Sequence, residues 1–177
     1  MSEITHNEQP EDKILNQEGV PSEQWPPLPR NDEERKEVHN QAEEEAERAA
    51  FENDLGTSRC NSIARIFERS GDLETASEYY LLHAPSMENA KKIFKEQGFK
   101  TEKIQEIIER AAGLMDSVAD NWSKIAGYPP EDAEIEEEKW HIPNGEQVHR
   151  RRLMERKWYR DAAKRIRDFK KELEEEK

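Results

Sequence analysis

The chain is poor in the residues that build cofactor, metal and disulfide sites. It has one cysteine, Cys60, so no intrachain disulfide can form, and a reducing cytoplasm is the expected compartment. Its seven glycines are scattered and form no phosphate-cradling loop, and its five histidines include no pair at i and i+4 that would suit zinc. Cys60 and His83 could meet as nucleophile and base, but a small buried cysteine and a helix-edge histidine are the simpler interpretation. We therefore predict no cofactor, no metal and no enzymatic activity.

Apolar residues are also scarce. They make up 33% of the chain, against 39% charged residues, which is too few for one compact core that spans all 177 residues. The longest apolar runs fall far short of the roughly 20 residues that a membrane span needs, and the N-terminus lacks a basic region followed by an apolar run. We expect a soluble intracellular protein without a transmembrane segment.

The charge of the chain is divided between its two ends. Residues 1–56 carry sixteen acidic and five basic residues, whereas residues 149–171 carry eleven basic and three acidic ones, within a net charge of −13. This polarity indicates that the two ends contact different surroundings.

Changes in composition divide the chain into five segments and predict an all-α fold. These are a disordered acidic, proline-bearing arm (1–31), a peripheral acidic helix (32–54), a helical core (57–127), a tethered loop (128–145) and a basic amphipathic C-terminal helix (146–177).

The peripheral helix is predicted to begin with Asp32 as its N-cap and to have only a thin apolar face. We interpret it as a solvated helix with one shallow contact, and an acidic patch for a basic partner is the alternative. The weak apolar stripe consists of Val38, Ala42, Ala46, Ala49 or Ala50, and Phe51.

The core begins with two short amphipathic helices that are predicted to fold back on each other around Gly71, with Asp72 capping the second helix and Ala84 on its packed face. A third helix should end at Gly98. A fourth, from Thr101 to Gly127, has a regular apolar seam that can pack on the hairpin or pair with a partner helix or its own copy. A homo-oligomer is therefore left open.

The hairpin, at about residues 57–85, resembles a single tetratricopeptide repeat or a related α-solenoid pair. No second copy follows at a spacing of 34 residues, His83 stands where the repeat usually has alanine, and Pro85 arrives early. The resemblance implies a protein-binding helical module. It is carried by Ile63, Ala64, Phe67, Gly71, Asp72, Ala76 and Tyr80.

The C-terminal helix is the principal candidate for function. Its basic residues could bind a phosphate backbone, with Trp158 and Tyr159 stacking on unpaired bases. Alternatively, acidic segments of the chain neutralise it and its apolar seam packs on the core or on a partner protein, which is the interpretation we favour. The predicted partner or phosphate contacts are Arg150, Arg151, Arg152, Arg156, Lys157, Arg160, Lys164 and Arg167, and the predicted apolar contacts are Trp158, Tyr159, Ile166 and Phe169.

A proline-rich segment of the arm, Trp25-Pro26-Pro27-Leu28-Pro29, favours a polyproline II conformation. It is similar to ligands of WW and SH3 domains and is a candidate docking peptide. An arm that lies on its own domain through Trp25 and Leu28 is the alternative.

These features together favour a non-enzymatic helical adaptor or assembly subunit that binds protein partners in a larger complex. The alternative is a nucleic-acid-binding accessory or regulatory protein, for which the basic helix would supply the contact. A third hypothesis is a viral-type scaffolding protein, because such proteins share high charge, helicity and a basic helical C-terminus.

Overall fold

The computed structural model describes residues 28–126 and 146–175, and the predicted all-α fold is confirmed there. These two ranges contain six α-helices and no strand. Most of the predicted arm, the tethered loop and the first three residues of the docking peptide lie outside the described residues. The helices are α1 (Asp32–Phe51), α2 (Thr57–Ser70), α3 (Leu73–Leu81), α4 (Met87–Gln97), α5 (Thr101–Ala126) and α6 (Glu146–Glu175).

Helix α1 lies at the edge of the fold and packs on α2. The prediction of Asp32 as its N-cap is wrong, because Asn31 occupies the cap position and its Oδ1 accepts a hydrogen bond from the backbone N–H of Glu34 at 2.8 Å. Both residues can cap a helix, and the side chain of Asn31 satisfies one of the otherwise unpaired amides of the first turn. The buried face of α1 is as thin as predicted, since only Ala42 and Ala49 are buried.

Helices α2 and α3 form the predicted hairpin. Gly71 ends α2 with φ of +90°, a left-handed conformation that glycine adopts without the steric cost that a β-carbon brings. Asp72 then caps α3 as predicted, because its Oδ1 accepts the backbone N–H of Thr75 at 3.0 Å and its Oδ2 accepts the Thr75 hydroxyl at 2.8 Å. Ser77 and Leu81 of α3 are buried, and so are the residues at the predicted spacing, which are Cys60, Ile63, Ala64, Phe67, Ala76, Tyr79 and Tyr80.

Helix α3 is shorter than predicted. It ends at Leu81, His83 is extended, and Ala84 is exposed in a short 3-10 turn, Ala84–Ser86, instead of packing on the hairpin. Pro85 accounts for the early end, because it has no N–H to donate to the carbonyl of Leu81 and so cannot continue the helix. His83 therefore leaves the helix and turns toward the chain that connects α1 to α2.

Helix α5 is the central element of the second half of the fold. Helix α6 packs along most of its length, and α3 packs on it from another side, partly through Arg110, whose Nε donates to Glu78 at 2.8 Å. The apolar seam of α5 thus has a partner helix within its own chain as well as the hairpin. None of the helices in the described ranges has the length and apolar character that crossing a bilayer requires.

Candidate functional site

The inward face of α6 belongs to the core of the chain. Tyr159, Ile166 and Phe169 are buried in the core cluster where α6 packs on α5, and Leu173 packs on the same cluster. This is the predicted seam, with its 3 and 4 spacing. Three of the four predicted apolar partner contacts are therefore covered by the chain itself, and Trp158 is the one that keeps an exposed surface.

Ion pairs fix the direction of α6 along α5. Arg160 donates to Asp116 at 2.7 Å and also to Asp120, while Arg167 donates to Asp116 at 2.8 Å and to Glu109 at 3.4 Å. As the residue number rises along α6, the partner's number falls along α5, so the two helices are antiparallel. The hydrogen bond to Asp116 is the main cause that raises the pKa of Arg167.

These ion pairs decide what two of the predicted basic contacts do. Arg160 and Arg167 are each held by two carboxylates of α5, so much of their charge is already compensated inside the molecule. Arg156 is buried. The side chains of Arg150, Arg151 and Arg152 lie outside the described part of α6, although its backbone includes them. Lys157 and Lys164 are exposed, and neither forms an ion pair with a described carboxylate.

The hydroxyl of Tyr159 ties α6 to the connection between α1 and α2. It donates to the backbone carbonyl of Asn53 at 3.2 Å and accepts the backbone N–H of Leu55 at 3.3 Å. Burial is the main cause that raises the pKa of Tyr159 to about 12, so the hydroxyl is protonated at neutral pH and can serve as both donor and acceptor. The buried N–H of Leu55, which would otherwise be unsatisfied, is paired in this way, together with the partly buried carbonyl of Asn53.

His83 lies beside this connection and is 2% exposed, not at a helix edge as predicted. Its Nε2 lies 2.8 Å from the carbonyl of Leu55, and its Nδ1 lies 3.1 Å from the hydroxyl of Thr57. A neutral ring with the proton on Nε2 satisfies both contacts, since Nδ1 then accepts from Thr57. Burial is the main cause that lowers the pKa of His83, and the charge of Arg165 lowers it further.

Cys60 is buried as expected, and burial raises the pKa of its thiol to about 12. The two ring nitrogens of His83 are engaged by Leu55 and Thr57, so the nucleophile and base arrangement considered from the sequence is not formed by hydrogen bonding in this structure. Within the described ranges, no three or more His, Cys, Asp or Glu side chains are grouped so that they could hold a metal ion.

The outer face of α6, defined here as Met154, Lys157, Trp158, Asp161 and Lys164, is the candidate binding site. Met154 is 65% exposed and Trp158 is 40% exposed, one helical turn apart. The ring of Trp158 lies over His83, with ring centroids 5.5 Å apart, and packs edge-on against Tyr159 at 4.8 Å. An aromatic side chain is thus held in one orientation by buried neighbours while part of it remains open to solvent.

The outer face of α1, defined here as Glu44, Glu47 and Phe51, is a second exposed surface. Phe51 is 87% exposed, so its assignment to the buried stripe of the helix is wrong. The reason is its angular position, because two residues advance a helix by about 200° and place Phe51 opposite the buried Ala49. Glu44 and Glu47 share this side of α1, are exposed, and form no ion pair with another described residue.

Of the docking peptide, the structure describes Leu28 and Pro29, which precede α1; Leu28 is exposed. Comparisons with known proteins found no match: no family model, no curated protein and no solved structure matches this chain.

Proposed function

We propose that this chain is a non-enzymatic helical adaptor or assembly subunit that binds protein partners through its helical core and the outer face of α6. The observation that carries the proposal is the exposure of Met154 and Trp158 on a helix where Tyr159, Ile166 and Phe169 are buried. Tryptophan and methionine are enriched at protein interfaces, and a tryptophan on a packed support is typical of the few residues that dominate binding energy.

The ion pairs of α6 favour a protein partner over a nucleic acid. Phosphate binding depends on the number of available cations, and two of the predicted contacts, Arg160 and Arg167, are committed to carboxylates of α5. On the outer face, the exposed carboxylate of Asp161 lies one turn from both Lys157 and Lys164, so the summed charge there is smaller than a phosphate backbone with many charges would require. Nucleic-acid binding through the basic helix is the alternative that the experiment below must distinguish.

The test is affinity capture of partners with the full chain and with a Met154→Ala/Trp158→Ala variant. Loss of a central tryptophan contact costs about 2 kcal/mol or more, so we expect recovery of the partner to fall by a factor of roughly 30. Lys92→Ala on α4 is the control, because Lys92 is similarly exposed but lies on another helix. Recovery of the same partners in the same amounts by the Met154/Trp158 variant would contradict the proposal.

A second measurement addresses the nucleic-acid alternative. Binding to single-stranded RNA and duplex DNA is measured by fluorescence anisotropy at low salt. If the proposal holds, a Lys157→Ala/Lys164→Ala variant should give the same anisotropy as the unchanged chain. Binding that weakens steeply with salt and disappears in that variant would support the alternative instead. Point substitutions are preferable to deletion of α6, since deletion would expose the core that Tyr159, Ile166 and Phe169 help to form.

A further inference from the structure

The outer faces of α1 and α6 have complementary chemistry. The α1 face joins an exposed phenylalanine, Phe51, to two exposed carboxylates, Glu44 and Glu47. The α6 face joins exposed Met154 and Trp158 to two exposed lysines, Lys157 and Lys164, and to one exposed carboxylate, Asp161. Each face therefore combines exposed apolar and charged side chains, and the summed charge of the residues that define it is negative on α1 and positive on α6.

The distance between the charged and the aromatic residue is similar on the two helices. Glu44 lies seven residues from Phe51, or about 10.5 Å along the axis, and Lys164 lies six residues from Trp158, or about 9 Å. The acidic residues precede Phe51 in the chain, whereas Lys164 follows Trp158. If Phe51 meets Trp158, antiparallel helices bring Glu44 and Glu47 to the side of Lys164, while Lys157 stays beside the apolar residues.

We infer that the outer face of α6 binds the outer face of α1 on a second copy of this chain. This rests on the proposed function in that it assigns an occupant to the outer face of α6. The two faces do not pack on each other within one molecule, since Phe51, Glu44 and Glu47 are exposed and so are Met154, Lys157 and Lys164. Because one chain carries both halves of the contact, copies of it can join through two equivalent contacts in a closed dimer or head to tail in a longer assembly.

The experiment is a charge exchange measured by light scattering and sedimentation of the full chain. For the unchanged protein, we expect a mass that rises above the 20.8 kDa of one chain as concentration increases and falls back as salt is added. Two variants, Glu44→Lys/Glu47→Lys and Lys157→Glu/Lys164→Glu, should each need at least a tenfold higher concentration to associate. Their equimolar mixture should regain association, because each reversed face then meets a face of opposite charge.

All the exchanged residues are exposed, so the variants should remain folded, and far-UV circular dichroism with urea titration checks this directly. The inference is overturned if the unchanged chain keeps the monomer mass at all concentrations, or if folded variants associate as well as the unchanged chain, or if their mixture does not regain association. A monomeric chain that still loses protein partners in the Met154/Trp158 variant would overturn this inference while the proposed function stands. Conversely, restored association of the mixture without captured partners would support the inference and count against the wider adaptor function.

Discussion

The hydroxyl of Tyr159 provides a direct test of how α6 is attached to the rest of the molecule. Tyr159→Phe keeps the buried ring and removes one oxygen atom. That oxygen pairs the N–H of Leu55, a residue with no exposed surface, and the carbonyl of Asn53, which is partly exposed. The substitution therefore leaves two backbone groups without their partner at the place where α6 meets the connection between α1 and α2.

The expected cost follows from the surroundings of these two groups. A buried N–H that loses its acceptor costs about 1–3 kcal/mol, whereas a carbonyl that water can reach costs less. The free energy of unfolding should therefore fall by about 2 kcal/mol, which lowers the folding equilibrium constant roughly thirtyfold and the Tm by about 5–10 °C. Urea titration followed by circular dichroism measures this as a lower midpoint with an unchanged slope.

Tyr80→Phe is the matched control for this measurement. Tyr80 is as buried as Tyr159, but its hydroxyl donates to the carboxylate of Glu68 at 2.7 Å and also pairs with Arg65; Glu68 is exposed and Arg65 is partly exposed. Water can replace the lost partner of Glu68, so the control should cost under about 1 kcal/mol. If Tyr159→Phe costs no more than Tyr80→Phe, the hydroxyl of Tyr159 does not hold α6 to the α1–α2 connection.

Two further predictions concern pH and backbone conformation. The folded-state pKa of His83 is lowered from 6.5, so its contribution to stability is present above pH 6.5 and is lost as the pH falls toward the folded pKa. Urea titrations between pH 8 and pH 5 should show a smaller loss of stability for His83→Gln than for the unchanged chain. If the free energy of unfolding falls equally with pH in both proteins, His83 does not have this role. Gly71→Ala should destabilise by about 1–2 kcal/mol, because φ there is +90°, whereas Gly113→Ala in α5, with open space around the added carbon, should stabilise by about 1 kcal/mol. Shifts of the same sign in the urea midpoints of these two variants would contradict the backbone argument.

The local features of the fold were readable from the sequence because they depend on neighbouring residues. The stop at Gly71, the cap at Asp72 and the seam of α6 each follow from contacts within a few positions. The position of His83 was harder to predict, since Pro85 ended α3 early and the ring found its partners at Leu55 and Thr57.

The candidate site shows the same limit more clearly. Periodicity placed Tyr159 on the apolar seam, but its hydroxyl pairs with residues more than 100 positions away, and no local pattern indicates such a partner. The carboxylates that hold Arg160 and Arg167 likewise come from another helix. One feature of the sequence indicates that Phe51 is exposed, namely its angular distance along the helix from the buried alanines. The apolar stripe of α1 is so thin that this distance was difficult to recognise.

The ion pairs show which charges of the acidic N-terminal part and the basic C-terminal helix remain available at the surface. The charges of Arg160 and Arg167 of α6 are compensated by carboxylates of α5. These two arginines therefore stabilise the antiparallel pair of helices and contribute little net charge to the surface. Lys157 of α6 and the exposed glutamates of α1 form no such ion pair with described residues, and the charge of Lys164 is compensated only in part, by Asp168. Attraction between uncompensated charges of opposite sign acts over about 10 Å at moderate salt, so it can orient two molecules before their apolar residues meet. On this argument, charge sets the alignment of a contact, and Phe51, Met154 and Trp158 supply most of its binding energy.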